Sequence, residues 1–208
     1  MSDRSLVVVS AGLGQPSSTR LLADRLAAAT DRHLRDRGLG VTTDVVELRD
    51  RAQDLTNNLL TGFPAPELQA TIDAVVGADG LIAVSPIFNA SYSGLFKLFF
   101  DVIGHDGLAG KPTLIGATGG TARHSLALEH AVRPLFAYLD AAVVPTAVYA
   151  ASEDWGRVGV TVDASLVARI DRAARELATA MAGREASPPR DPFANPTPFE
   201  DLLARGPE

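Results

Sequence analysis

The sequence contains no cysteine in its 208 residues. This absence excludes disulfide bonds, thiolate nucleophiles, zinc ribbons and iron–sulfur clusters that cysteine would hold. The chain also lacks an apolar run of the roughly 18 residues that a membrane-spanning helix needs. The short apolar run that begins at Leu6 cannot serve as the core of a signal peptide. We therefore expect a soluble, cytoplasmic protein.

Positive charge is scarce as well. The chain has 19 Lys and Arg against 25 Asp and Glu, which gives a net charge of −6. Because no basic cluster is present, nucleic acid is not an expected partner. Hydrophobic residues make up 46% and charged residues 21%, as in a globular domain with a sizeable core.

Short apolar runs alternate with longer segments of helical period. The runs predict five strands, at Leu6–Ser10, Val41–Leu48, Leu81–Ser85, Thr113–Thr118 and Ala142–Tyr149. The periodic segments predict helices at Ser18–Arg37, Pro66–Val76, Tyr92–Ile103, Ser125–Leu139 and Asp163–Ala182, with residues 49–66 as a connection. Strands that are apolar throughout and alternate with helices predict an α/β, flavodoxin-like doubly wound fold. Its five-stranded parallel sheet would have the order 2-1-3-4-5, with helices on both faces.

The composition changes after Gly183, because six of the 13 prolines lie between Pro188 and Pro207. We therefore divide the chain into a domain over residues 1–183 and a proline-rich arm over residues 184–208. Two interpretations of the arm stay open. It is either a disordered tail or a segment that packs on a partner subunit through its apolar side chains, Phe193, Phe199, Leu202 and Leu203.

Ligands of a doubly wound sheet bind beyond the carboxyl ends of its central strands. The loop after the first strand combines glycines with hydroxyl side chains at Ser10, Ser17, Ser18 and Thr19. Hydroxyls and free N–H groups at a helix N-terminus are typical of a phosphate site. Capping of the helix by Ser17 or Ser18 is the alternative. A dinucleotide fingerprint starts at Gly12 but fails at Ser17, which favours a single terminal phosphate.

The loops after the third and fourth strands have the chemistry of a site for a flat ring. The first of them offers apolar surface and polar donors at Pro86, Ile87, Phe88 and Asn89. The second, Thr118, Gly119, Gly120 and Thr121, lets the backbone approach a ring closely. The alternatives are a core role for Phe88, capping of the next helix by Asn89 or Ser91, and a plain glycine turn with Thr121 as helix cap.

The histidines do not suggest a metal site. His33 and His105 have the surroundings of ordinary surface residues, and His124 and His130 are too far apart in sequence to share a helix face. No pattern of paired carboxylates or of a Ser-His-Asp triad is recognisable either. We therefore expect a bound organic group to supply the chemistry.

These three segments resemble those of the NAD(P)H-dependent FMN reductases, a family of flavodoxin-like fold. The similarity is strongest at Ala117–Thr121 and continues through His124, Leu126 and the run 131–135. Within the family, the chain looks closest to reductases that supply reduced flavin to two-component monooxygenases, including those of the alkanesulfonate pathway.

The resemblance implies FMN as the flavin and NADPH or NADH as the hydride donor, with no catalytic side chain. It assigns Ser10, Ser17, Ser18 and Thr19 to the FMN phosphate. It assigns two further sets to the ring: Pro86, Ile87, Phe88 and Asn89, and Thr118, Gly119, Gly120 and Thr121. It also implies a flavin-dependent monooxygenase as partner and a homodimer or homotetramer, for which Phe96, Phe99 and Phe100 are candidate contacts.

The chain departs from the family pattern at two places. Many relatives have an arginine early in the phosphate loop, where this chain has Leu13 and Gln15, with Arg20 one turn later. Weaker phosphate binding would make FMN a substrate rather than a retained cofactor. In the alkanesulfonate branch, an aromatic residue in the fourth helix accompanies a helix insertion and tetramer contacts. His130 stands at the matching position, so the insertion and the tetramer contacts are not to be assumed for this chain.

Other functions stay open at this point. The chain could be a flavodoxin-type electron carrier, or it could use bound flavin to reduce quinones, azo dyes or metal oxyanions. A dehydrogenase that binds NAD(P) would need the fingerprint that fails at Ser17. Arg123 and His124 are candidate contacts for the phosphates of the pyridine nucleotide, and a plain surface role is the alternative.

Overall fold

The computed structural model describes residues 4–156 and 162–184. Its strands form one seven-stranded sheet. In chain order they are β1 (Arg4–Ser10), β2 (Val41–Glu47), β3 (Gly80–Phe88), β4 (Ser91–Tyr92), β5 (Pro112–Gly119), β6 (Ala142–Val143) and β7 (Val148–Ala151). The α-helices are α1 (Ser18–Arg35), α2 (Ala52–Thr61), α3 (Pro66–Gly77), α4 (Gly94–Asp101), α5 (Arg133–Tyr138) and α6 (Ala164–Gly183).

The predicted flavodoxin-like class is confirmed, but the sheet has seven strands rather than five, so count and order differ slightly from the prediction. Strands β2, β1, β3 and β5 lie side by side in parallel, and both β6 and β7 pair with β5. Side chains alternate between two apolar cores. Leu6 and Val8 pack with α1 and α6, whereas Val7 and Val9 pack on the opposite face with α2, α3 and α4. Burial on both faces explains why these strands are apolar throughout.

The predicted third and fifth strands differ from the observed ones. Strand β3 does not stop at Ser85 but continues to Phe88, where a tight turn leads into the short antiparallel strand β4. The predicted fifth strand is divided into β6 and β7. Pro145 lies between the two strands. Proline has no N–H to donate to a neighbouring strand, so the pairing is interrupted there. Arg133 donates to the carbonyls of Val144 and Pro145, at 3.1 and 3.0 Å, and so satisfies them there.

The predicted connection over residues 49–66 was wrong, because it contains α2 and a preceding 3₁₀ turn, Leu48–Arg51. Leu55 and Asn58, one turn apart, are the buried residues of α2. Helix α4 begins at Gly94 rather than at Tyr92. Its N-cap is Ser93, whose side chain accepts from the Phe96 N–H, and not Asn89 or Ser91.

The predicted helix over Ser125–Leu139 is not one continuous α-helix, and a 3₁₀ turn precedes it. A 3₁₀ turn covers Ala122–His124, a π-helical turn covers Leu128–Val132, and α5 follows. The π-helical turn contains His130, so the structure has a helix insertion at the position where the sequence did not allow one to be assumed. Pro134 lies in the first turn of α5, where its missing N–H costs little.

The phenylalanines proposed as subunit contacts lie inside the molecule. Phe96 and Phe99 are fully buried and Phe100 is 2% exposed. Their rings pack on one another and on Phe136, with centroids 4.8 Å apart for Phe96–Phe100 and for Phe100–Phe136. These side chains belong to the core beneath α4, and the expected apolar contact between subunits cannot come from them.

The proposed arm lies outside the described residues, apart from Arg184. Arg4 of β1 donates to the carbonyl of Arg184 at 2.7 Å, which fixes the end of α6 to the amino-terminal edge of the sheet. No helix in the described part of the chain is long and apolar enough to cross a membrane.

Candidate functional site

Three chain segments meet at the carboxyl edge of the sheet, as the sequence predicts for a doubly wound fold. The first segment is residues 10–19, the second is residues 86–89 and the third is residues 118–121. The hydroxyls of Thr19 and Thr118 lie 2.8 Å apart and are hydrogen-bonded, although 99 positions separate them in sequence. Pro86 pairs in register with Thr118. A Cβ at Gly119 would lie 3.8 Å from the Cβ of Ile87. The structure therefore brings all three predicted segments into one contiguous site.

The first segment folds tightly over the start of α1. A Cβ at Gly12 would lie 2.1 Å from Ser17 Oγ and 3.1 Å from Thr19 Cβ, so only glycine fits there. Ser17 is the N-cap of α1, and its hydroxyl accepts from the N–H of Arg20 at 3.2 Å. Capping therefore occupies one lone pair of Ser17, whereas Ser18 is exposed.

The start of α1 is suited to an anion. The first turn carries no acidic residue, so nothing opposes the positive end of the helix dipole. Ser10 ends β1 on the face that packs against α1, because it continues the alternation of Leu6 and Val8. Its hydroxyl is buried, and within the described residues it has no hydrogen-bond partner. A buried hydroxyl without a partner is costly, and a bound ligand would remove that cost.

Two arginines lie close to the first segment, but only Arg49 contacts it through its side chain. Arg20 donates to Asp24 and to Glu47, at 2.7 Å each, so its charge is already paired. Arg49, just after β2, forms an ion pair with Glu47 at 2.9 Å and donates to the carbonyl of Gly14 at 3.1 Å. Sequence reasoning missed Arg49, because a contact between the loops after β1 and β2 depends on the fold.

The second segment is a hairpin rather than an irregular loop. Asn89 and Ala90 form its tip with φ values of 48° and 69°, as in the tight turns that join twisted antiparallel strands. Asparagine tolerates this left-handed region well, whereas alanine is strained there. The hairpin holds Ile87 half-buried and leaves Phe88 47% exposed, so Phe88 is not a core residue.

The third segment rests on a tyrosine that sequence reasoning did not single out. Tyr149 of β7 is 7% exposed, and its hydroxyl donates to the carbonyl of Thr121 at 2.8 Å. A Cβ at Gly119 would lie 2.1 Å from that hydroxyl, so the glycine permits the contact. Gly120 faces open space, since nothing lies within 4 Å of where its Cβ would be. Thr121 precedes the 3₁₀ turn without a capping bond from its side chain.

Two basic side chains follow the third segment directly. Arg123 and His124 lie in the 3₁₀ turn directly after Thr121, and both are exposed at the rim of the site. Within residues 4–156 and 162–184, no group of three or more His, Asp and Glu side chains could hold a metal ion.

The fold defines a flavodoxin-like protein, and its candidate site combines features suited to an anion with features suited to a flat ring. The chain matches the family model for NADPH-dependent FMN reductase over residues 5–156. It is 38% identical over 183 residues to an FMN reductase (NADPH) of Pseudomonas aeruginosa, which covers 88% of this chain and 95% of the relative. It is 36% identical over 183 residues to the NADH-dependent FMN reductase SfnF of Pseudomonas fluorescens, covering 88% and 94%.

Solved structures agree with this assignment. An oxidoreductase from Corynebacterium diphtheriae superposes with a TM-score of 0.85 at 43% identity, covering 89% of this chain and all of the other. The chain belongs to the NADPH-dependent FMN reductase family, and the resemblance noted in the sequence is confirmed.

The residues present fit FMN. The unpartnered Ser10 hydroxyl and the start of α1 suit a terminal phosphate. Ile87 and Phe88 offer apolar surface next to the glycines at 119 and 120, where a flat ring would meet little steric hindrance. These features together match a molecule with a phosphate at one end and a planar heterocycle at the other.

The hydrogen bond between Thr19 and Thr118 can be tested by substitution. We expect Thr19→Val and Thr118→Val each to lower the free energy of unfolding by about 1–2 kcal/mol, because each leaves a buried hydroxyl without its partner. The double variant should lose clearly less than the sum, since it removes both hydroxyls together. Urea denaturation followed by circular dichroism measures all three. Additive losses would mean that the two hydroxyls do not interact.

Proposed function

We propose that the protein is an oxidoreductase that transfers hydride from NADPH or NADH to FMN. The observation that carries the proposal is the contiguity of an anion site and a ring surface at one sheet edge, joined by the Thr19–Thr118 hydrogen bond. Family membership supports the same conclusion.

We assign the FMN phosphate to the first segment. Ser10 would donate its buried hydroxyl, and Ser18 and Thr19 would present N–H groups from the first turn of α1. Ser17 would donate its hydroxyl proton while it continues to accept from Arg20. Arg49, whose own charge is paired with Glu47, would hold the loop in place through its hydrogen bond to the Gly14 carbonyl.

We assign the ring to the second and third segments. Pro86, Ile87, Phe88 and Asn89 would support one side of it, and the backbone of Thr118, Gly119, Gly120 and Thr121 would face its pyrimidine edge. When bound, the flavin accepts the hydride at N5, and stacking against the nicotinamide supplies the proximity that this transfer needs. N–H groups at the pyrimidine edge would stabilise the negative charge that develops there. No side-chain acid or base is required.

The physiological role proposed here is the supply of reduced FMN to a flavin-dependent monooxygenase in the cytoplasm. SfnF and SfnE, the similar proteins of pseudomonads, are NADH-dependent FMN reductases, whereas the relative from P. aeruginosa uses NADPH. Arg123 and His124, exposed beside the third segment, are the proposed contacts for the phosphates of the pyridine nucleotide.

The activity is tested by following NADPH and NADH oxidation under anaerobic conditions, with and without added FMN. We expect a rate that rises hyperbolically with FMN concentration. Bound flavin that neither nucleotide reduces would contradict the proposal and favour a flavodoxin-type electron carrier. Turnover that needs a quinone or an azo dye, with no dependence on free FMN, would favour the reductase that retains its flavin.

The phosphate assignment predicts the effect of a charge at position 18. Ser18→Asp should raise the dissociation constant of FMN about tenfold, because a carboxylate next to a phosphate costs about 1.4 kcal/mol or more. Ser18→Asn has nearly the same size without the charge and serves as the matched control. Fluorescence titration with FMN and with riboflavin, which has no phosphate, measures the effect. Equal weakening of both ligands would remove the first segment from the phosphate site.

We also propose that the protein forms a homo-oligomer through the face of α4 and α5. A groove of about 360 Å³ lies there, lined in part by Lys97 and Leu135, and Tyr138, which also lines it, is 70% exposed. The π-helical turn that precedes α5 supports this, because the alkanesulfonate branch associates such a turn with tetramer contacts.

Light scattering coupled to gel filtration tests the oligomer. We expect a multiple of the 21.8 kDa chain mass for the wild type and a smaller mass for Tyr138→Lys. Val167→Lys, on the exposed face of α6, is the matched control and should not change the mass. A wild-type protein that stays at the mass of one chain at micromolar concentration would contradict the proposal.

A further inference from the structure

We propose that the Tyr149 hydroxyl is a positioning group, which orients the peptide between Thr121 and Ala122 so that the Ala122 N–H faces the flavin ring. This N–H then makes the site bind reduced flavin more tightly relative to oxidised flavin. The inference rests on the proposed function, because it takes residues 118–121 as the ring site. It adds a residue that lies on another strand and outside the three predicted segments.

The geometry around Tyr149 carries the inference. Its side chain lies on the core face that also contains Ile115 and Ala117, and its hydroxyl donates to the carbonyl oxygen of Thr121 at 2.8 Å. The carbonyl and the N–H of a trans peptide point in opposite directions. Because the carbonyl of Thr121 points towards the core, the N–H of Ala122 points away from it, towards the open side of the third segment.

The segment is fixed at its other end as well. Thr118 is held by the hydroxyl of Thr19 at 2.8 Å, so the backbone of residues 118–121 is anchored on both sides. Between the two anchors, Gly119 lies directly against the Tyr149 hydroxyl and Gly120 faces open space. A segment held in this way can aim its N–H groups without reorganising when charge develops on a ligand.

The surroundings of Tyr149 keep it a donor. Burial, with the charge of Asp154 as a second cause, raises the pKa of the Tyr149 phenol above its ordinary value. The hydroxyl therefore keeps its proton at physiological pH. The hydroxyl donates this proton to the Thr121 carbonyl, and the proposed mechanism of hydride transfer does not otherwise use it.

Tyr149→Phe tests the proposal, because it removes the hydroxyl and keeps the ring. Anaerobic titrations with oxidised FMN and with dithionite-reduced FMN give the two dissociation constants. We expect the constant for reduced FMN to rise about fivefold, the usual effect of one weakened hydrogen bond, and the constant for oxidised FMN to rise less than twofold. Thr179→Val removes a hydroxyl from the exposed side of α6, away from the candidate site, and should change neither value. Thermal unfolding shows that both variants are folded.

A second variant pair tests the contact itself. Gly119 has no positive φ, so its backbone tolerates alanine, but the new Cβ would lie 2.1 Å from the Tyr149 hydroxyl. In Gly119→Ala combined with Tyr149→Phe, the nearest atom becomes Cζ at 3.2 Å. We expect Gly119→Ala to weaken FMN binding at least about tenfold and the double variant to bind more tightly than Gly119→Ala alone.

The outcomes separate the two proposals. If the wild type binds neither form of FMN, the proposed function fails and this inference fails with it. If the wild type binds FMN and Ser18→Asp weakens it, but Tyr149→Phe leaves the ratio of the two constants unchanged, only the positioning role is overturned. A double variant weaker than Gly119→Ala would likewise overturn it.

Discussion

The whole molecule depends on a sheet that is covered by helices on both faces. Such burial leaves no room for polar chemistry along the strands, so Leu6, Val8, Leu81 and Ala83 serve the core alone. Polar groups can gather only where the strands end, and parallel pairing makes β1, β3 and β5 end at the same edge. The position of the site is therefore a consequence of how the apolar surface is buried, before any ligand is considered.

At that edge, hydrogen bonds between side chains join segments that the sheet alone would leave independent. Thr19 and Thr118 connect the start of α1 to the end of β5, and Tyr149 connects β7 to the backbone that follows β5. Arg49 adds a contact from the end of β2. The three segments are thereby held in a fixed relation, as the proposed binding of a ligand with a phosphate and a ring would require.

Local sequence was sufficient for the fold class and for the expectation that three segments meet at one edge of the sheet. The apolar runs at β1 and β5 are visible in sequence because their cause lies within the strand, and the glycines at 12 and 119 can be seen there, although the contact that requires Gly119 comes from Tyr149 on another strand. What was missed depends on distant residues or on small backbone differences. An inserted π-helical turn around His130 barely changes the apolar period, and strand β3 continues to Phe88 beyond the predicted end at Ser85. The contacts of Tyr149 and Arg49 join separate strands, and so only the folded chain reveals them.

The division of the last strand at Pro145 also affects how the protein behaves among its own copies. A continuous edge strand would present a row of free N–H and C=O groups to which another chain could add a strand. Here, Arg133 occupies the carbonyls of Val144 and Pro145, and Glu176 accepts from the N–H of Thr146 at 2.7 Å. The division between β6 and β7 therefore protects this edge of the sheet against aggregation by pairing with an edge strand of another copy.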